Sequence, residues 1–106
     1  MELVYVEYCY STKVNEKIDI YSFGVVLLEL VTGKEAHTGD EYLNLAQWAW
    51  KHYSQGHPVS DAFDNEVKED CYLEAMTNVF MLGLICTSTL ASSRPSMKEV
   101  LQVLRR

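Results

Sequence analysis

Glycine is sparse in this 106-residue chain, and its five copies at positions 24, 33, 39, 56 and 83 never form Gly-x-Gly. That excludes a glycine-rich turn of the kind that cradles phosphates with closely spaced backbone N–H groups. Cysteine is also scarce. Cys9, Cys71 and Cys86 are odd in number, widely spaced and without a C-x-x-C pair, which argues against a disulfide framework or a zinc site. Reduced, partly buried thiols are the expected state. Basic side chains are outnumbered, nine against fifteen acids, for a formal charge of −6. Such a chain lacks the electrostatic footprint of a nucleic-acid binder or of a polybasic membrane-surface segment. The apolar run around Val25 to Val31 is too short to span a bilayer and contains Glu29. Met1 to Val6 has neither the basic start nor the long apolar core of a signal peptide. No internal repeat, low-complexity tract or linker is visible.

What is present fits one soluble globular domain: 48% of residues are apolar and 23% charged. A chain of this length buries somewhat over ~60% of its unfolded surface, enough for one modest core. Residues 1–12, rich in tyrosine, read as extended or irregular. From Asp19 through Ile20-Tyr21-Ser22-Phe23-Gly24 to Val31, the sequence is apolar on every side for about four turns, as in a helix buried all round. Asn15 or Asp19 is expected to cap this first helix, roughly 18–32, and Thr32-Gly33 to end it. A second helix is predicted over 41–54, capped by Asp40 and stopped by Gly56-His57-Pro58. Residues 57–71 form an acidic connection anchored by Val59, Ala62, Phe63 and Val67. A third helix over 72–88 carries a stripe of Met76, Val79, Phe80, Gly83, Leu84 and Ile85. Gly83 costs that helix about 1 kcal/mol relative to alanine, which points to close packing against another helix. Ser96 and Glu99 match the Ser-x-x-Glu capping box of a last helix through Val100, Leu101, Val103 and Leu104. The fold class is all-α, four helices with one central buried helix.

The Asp-x-x-x-x-Gly pattern of Asp19 and Gly24, heading an apolar helix, resembles the central helix of the protein-kinase C-terminal lobe. Other blocks agree in order. Glu7-Tyr8 resembles the end of the Ala-Pro-Glu motif, and Asp40 through Leu45, Trp48 and Trp50 resembles the next helix. Leu82 to Thr87 with Arg94-Pro95-Ser96-Met97 resembles the closing block of plant leucine-rich-repeat receptor-like kinases. The resemblance covers about Glu7 to Arg106, so residues 13–106 read as a partial kinase C-lobe. It departs from the pattern at Tyr5-Val6, where the family has Ala-Pro. It implies structural roles for Glu7, Asp19, Gly24 and Arg94. Glu7 would pair with Arg94, either as a buried fork whose disruption costs about 3–5 kcal/mol or as a solvated pair below ~1 kcal/mol. Asp19 would hold a catalytic loop that lies outside this chain.

Phosphoryl transfer needs a glycine-rich cover, a lysine with its glutamate partner, a catalytic aspartate and metal-binding Asp and Asn. Neither His-Arg-Asp nor Asp-Phe-Gly occurs in the 106 residues. No catalytic, cofactor or metal residue is therefore assigned; ATP and Mg²⁺ would belong to the parent kinase. His37, His52 and His57 read as unrelated surface or capping residues, and the acids between Asp61 and Asp70 as a solvated loop. Trp48 and Trp50, two apart on a helix, point to different faces, one core and the other a partner or lobe surface. Two functions compete. One is a fragment of a receptor-like Ser/Thr kinase, inactive alone and cytoplasmic, on the inner side of the plasma membrane in its parent. The other is a non-catalytic module or decoy that competes for partners of the intact receptor. Expected partners are the rest of a kinase domain or other signalling proteins, not nucleic acid. The uncovered side of the first helix is expected to leave a large apolar patch.

Overall fold

The computed structural model describes residues 2–36 and 44–105, with side chains from residue 16 onward. Four α-helices follow in chain order: α1 over Glu2–Thr32, α2 over Leu45–Ser54, α3 over Leu73–Cys86 and α4 over Met97–Leu104. Short 3₁₀ turns at Val59–Ala62, Asp70–Tyr72 and Ala91–Ser93 link them, and no strand occurs among the described residues. No helix among them is long and apolar enough to cross a membrane.

The largest departure from the sequence reading is at the start. The backbone of residues 2–12, read as irregular, is helical and continuous with α1. Neither proline nor glycine occurs before Gly24. The tyrosines and β-branched residues there each oppose a helix by only tenths of a kcal/mol. Once the apolar half is fixed, adding turns backward avoids the cost of a new nucleus. Asn15 and Asp19 therefore lie inside the helix, and neither occupies the cap position at its start. At the other end the expectation holds. Gly33 takes φ +69°, its N–H donates to the Glu29 carbonyl at 2.9 Å, and the Asp64 N–H donates to the Val31 carbonyl at 2.8 Å. A side chain at Gly33 would also run into Asp64.

The second helix starts later than predicted. Asn44, not Asp40, is its cap: Asn44 Oδ1 accepts from the Gln47 N–H at 2.8 Å and Gln47 Oε1 from the Asn44 N–H at 3.0 Å. Asp40 lies outside the described residues. The predicted Ser96–Glu99 capping box forms at the head of α4.

Helices α1 and α3 pack most extensively and sit between two small cores. One core joins Leu28 and Val31 to Met76, Phe80 and Leu84, and is closed by Leu45, Ala46, Ala49, Ala62 and Phe63. The other joins Ile20 and Leu27 to Leu82, Cys86 and Val100. Lying between two cores explains why α3 is apolar around most of its circumference. Phe80, fully buried against Phe63 with ring centroids 6.2 Å apart, anchors the larger core. Burying such a ring contributes about 1.5–3 kcal/mol. Of the connection's predicted anchors, Ala62 and Phe63 are buried and Val59 half-buried, whereas Val67 is exposed. Ile85, placed in the α3 stripe, is also exposed because the two cores take up the positions on either side of it.

The helices cross where both carry glycine. A Cβ on Gly24 would lie 2.6 Å from Cys86 Cβ and 3.1 Å from the Gly83 carbonyl oxygen. A Cβ on Gly83 would lie 2.9 Å from Leu28 Cδ2 and 3.2 Å from the Gly24 carbonyl oxygen. The close packing inferred for Gly83 is therefore real, and its partner is Gly24. The opposite flank of α1 differs from the all-round burial expected of it. Ile18, Ser22, Val26 and Leu30, four residues apart in sequence, form an exposed stripe along the helix.

Candidate interaction surface

Arg94 sits between the Ala91–Ser93 turn and the α4 cap, with Pro95 fixing the backbone that follows. Half-buried, it is held from three sides. Its Nε donates to the Ser88 carbonyl at 3.0 Å, its Nη1 donates to the Lys17 carbonyl at 2.9 Å, and its guanidinium lies 4.9 Å from the Tyr21 ring centroid. Lys17 returns the contact, its Nζ donating to the Arg94 carbonyl at 2.8 Å. Two cations are thus locked side by side by reciprocal backbone hydrogen bonds. Stacking of the guanidinium on Tyr21 adds about 0.5–2 kcal/mol, more as the site is dried. The loop before α4 is tied to α1 through these contacts.

Beside Arg94 lies a cleft of about 420 Å³, walled by Tyr21, Asn44, Gln47, Trp50, Thr87 and Thr89. Among the described residues, no acidic side chain lines it. Trp50 and Thr89 also border a neighbouring hollow of about 240 Å³, completed by Ser88, Leu90 and Ser93. A third hollow of about 320 Å³ lies at the C-terminal end of α1's open flank, lined by Leu30, Val31, Val67, Tyr72, Met76 and Val79 among others. Its lining is almost wholly apolar, so it can hold a greasy group but has little to orient a polar one.

The residues singled out in the sequence are dispersed. Gly24 is at the α1–α3 crossing and Arg94 at the α1–α4 junction. Asp19 is exposed in the middle of α1, and the loop it would hold is not in the chain. Glu7 lies on the helical backbone of α1, but its side chain is outside the described part, and so is the expected pair with Arg94. Lys17 and Tyr21, which hold Arg94, carried no signal: their spacing on α1 is ordinary, and only the tertiary fold brings them to residue 94.

The tryptophans divide as anticipated, with Trp48 packed on the larger core and Trp50 exposed at the cleft. Lys34 Nζ covers the Trp48 ring at 4.8 Å from its centroid. The histidines do not lie in unrelated places. His52 and His57 stack with ring centroids 5.1 Å apart, and His52 Nε2 donates to the Pro58 carbonyl at 2.9 Å, which fixes the tautomer. His37 is outside the described residues. Among the described residues, no three His, Cys, Asp or Glu side chains gather as a metal site.

The sequence profile of the protein tyrosine and serine/threonine kinase family matches residues 2–104. Receptor-like protein kinase 5 of Arabidopsis thaliana is 44% identical over 105 residues, covering 93% of this chain and 10% of that protein. A probable leucine-rich repeat receptor-like protein kinase of the same plant is 41% identical over 102 residues, covering 92% of this chain and 9% of that protein. An LRR receptor-like serine/threonine-protein kinase of Oryza sativa subsp. japonica is 42% identical over 99 residues. The chain therefore spans about a tenth of the length of these relatives. Among solved structures, the pseudokinase domain of BIR2, an immune regulator of the RLK/Pelle family, superimposes with a TM-score of 0.75 at 32% identity. The match covers 85% of this chain and 27% of that one.

Proposed function

Because the chain belongs to the protein tyrosine and serine/threonine kinase family, with plant receptor-like kinases among its relatives, we propose that it is the helical base of a kinase C-terminal lobe and transfers no phosphoryl group by itself. The carrying observation is what the 106 residues contain: the closing helices of the fold, without Gly-x-Gly, His-Arg-Asp or Asp-Phe-Gly. ATP and Mg²⁺ do not fit the residues present. Phosphates need a cradle of backbone N–H groups with a lysine, and the metal needs an aspartate and an asparagine set against them. Among the described residues, the Arg94 cleft offers a cation but no carboxylate for a metal, and the apolar hollow under α1 offers neither. In a parent receptor kinase, this base would lie on the cytoplasmic side of the membrane, with nucleotide and metal held by segments outside this chain.

A second reading has its own support. The solved neighbour is a pseudokinase domain described as an immune regulator, so the fold also serves a protein named for regulation rather than catalysis. On this reading the chain is an interaction module that occupies partners of an intact receptor kinase. Both readings expect the same first result. Thermal unfolding of the isolated chain with and without millimolar Mg-ATP should show no shift in midpoint. A saturable rise would mean nucleotide binding, and the non-catalytic assignment would fall.

A further inference from the structure

We infer that the hollow between the C-terminal end of α1 and the start of α3 is a docking site for a basic amphipathic helical segment of another protein, whose apolar face enters between Leu30, Val67 and Tyr72 while its cations meet the acids of residues 66–74. The inference deepens the interaction-module reading and rests on it. Peptide binding and nucleotide binding are measured separately, so either can fail without the other.

Backbone contacts fix the outer wall of this hollow. The Asp64 N–H, donating to the Val31 carbonyl at 2.8 Å, ties the connection to the end of α1. Two turns follow: Asp64 Oδ1 accepts from the Glu66 N–H at 3.0 Å, and the Tyr72 N–H donates to the Glu69 carbonyl at 2.9 Å. The stretch so held carries Val67 and Tyr72 to the hollow, which Met76 and Val79 of α3 also line. A wall fixed before binding lowers the ordering cost of receiving a ligand. Leu30 is 67%, Tyr72 54% and Val67 50% exposed, whereas Met76 is buried, so the hollow of about 320 Å³ has a wide apolar mouth. A small-molecule site encloses most of its ligand. So open a mouth suits side chains carried on a larger body instead. Occupation of this kind also accounts for Val67, an apolar side chain that the connection turns into neither core.

Charge selects among such bodies. Glu66, Glu69, Asp70 and Glu74 are exposed on the stretch that supplies the wall and leads into α3, with Lys68 the one base between them. Helix α3 itself carries Glu74 and no base. Side chains outside the described part do not reverse the balance, since they bring Lys13 and Arg106 against Glu2, Glu7, Asp40 and Glu41. An apolar opening in a negative field complements apolar side chains flanked by lysine or arginine. A second copy of the chain is disfavoured here, because it would bring the same acids to the contact. The helical form of the ligand follows from α1. Val26 and Leu30, exposed one turn apart, lead into the hollow, so an amphipathic helix can lay successive turns along them.

The test uses the full 106-residue chain, diluted until sedimentation shows a monomer, and a fluorescein-labelled peptide of about four helical turns read by fluorescence polarisation. Its leucines recur at helical spacing and its other face is lysine. One control peptide has the same residues in an order that breaks the leucine face; the other has glutamate for every lysine. The parent peptide should bind saturably and at least about tenfold more tightly than either control. Val67→Ser should weaken it about tenfold, as for loss of an interface anchor. The deciding variant is Glu66→Gln with Glu69→Gln, two exposed side chains outside both cores. Far-UV ellipticity should stay unchanged and affinity should fall about fivefold. Equal binding of the reordered peptide would reduce the contact to charge alone, and equal binding of the glutamate peptide to apolar contact alone; either overturns the inference. So does an unaffected Val67→Ser chain, an unaffected Glu66→Gln, Glu69→Gln chain, or no binding by any peptide. If Val67→Ser instead abolishes self-association at higher concentration and the peptide does not bind, the hollow belongs to a second copy and the inference falls.

Discussion

The two flanks of α1 are built from similar residues and have opposite fates. The inner flank, Ile20, Gly24, Leu27, Leu28 and Val31, is enclosed by α3 so tightly that two glycine positions touch backbone and Cβ atoms across the crossing. The outer flank, Ile18, Val26 and Leu30, is as apolar and lies about half exposed or more. Composition does not distinguish them. What does is the absence of a Cβ at the crossing: glycine lets the helices approach until the carbonyl oxygen of each lies within contact range of the other helix, and nothing comparable closes the outer side among the described residues. An apolar stripe that ends in a hollow and meets no partner among the described residues has the composition of a contact surface. This agrees with a chain that spans only about a tenth of its relatives.

The sharpest way to break the comparison is chemical. Cys86 lies at the crossing, fully buried, and desolvation pushes its thiol from 9.0 to about 11. Cys71 is exposed. At pH 8, alkylation followed residue by residue by mass spectrometry should label Cys71 freely. Cys86 should react roughly 100-fold more slowly than it does in the unfolded chain, from its smaller thiolate fraction alone. The same shift makes stability depend on pH in one direction. The folded state holds this proton more tightly than the unfolded chain, so the contribution is complete below pH 9 and is lost as pH rises from 9 toward 11. Equal labelling of the two cysteines would mean that the crossing is open and the two flanks do not differ.

Next in size is a methyl group at the crossing. Gly24→Ala gains about 1 kcal/mol of helix propensity. It also drives a Cβ to 2.6 Å from Cys86 Cβ, an atom fixed to the backbone. Overpacking of this kind costs about 1–3 kcal/mol. The net loss in urea unfolding should be roughly 0–2 kcal/mol. Gly83→Ala should cost less, because its nearest obstacles are Leu28 side-chain atoms that have a rotamer to yield. The reverse order would show that α1, and not α3, is the rigid partner.

Much of this arrangement was legible in the residues before any coordinates. The Ser96–Glu99 box, the Gly33 stop and the reason for Gly83 each depend on local chemistry, and local chemistry is what a sequence displays. The start of α1 is not legible in this way because tyrosines and valines suggest extended chain, while the deciding fact, an unbroken run without glycine or proline, is an absence. Sequence alone does not decide between Asp40 and Asn44 as the cap of α2, since both are good capping residues and only backbone geometry chooses between them. Of the candidate site, Arg94 was visible through the closing block. Its embrace by Lys17 and Tyr21 was not, since a bond spanning 77 positions leaves no periodic trace.

The smallest expected effect tests the outer flank directly. If Val26 and Leu30 face water in the free chain, replacing both with serine removes little buried area. Val26→Ser with Leu30→Ser should then change unfolding free energy by no more than about 0.5 kcal/mol. Self-association should respond far more. An exposed stripe four residues in period is suited to pairing with an equivalent stripe, and polar residues at two of its positions remove the apolar area that drives such pairing. Sedimentation velocity across a concentration series should show the parent chain forming larger species and the double variant shifting toward monomer. A loss of 2 kcal/mol or more in the double variant, with no change in association, would place these side chains in a core within the monomer. The two flanks of α1 would then be equivalent, and the outer one would have no claim as a contact surface.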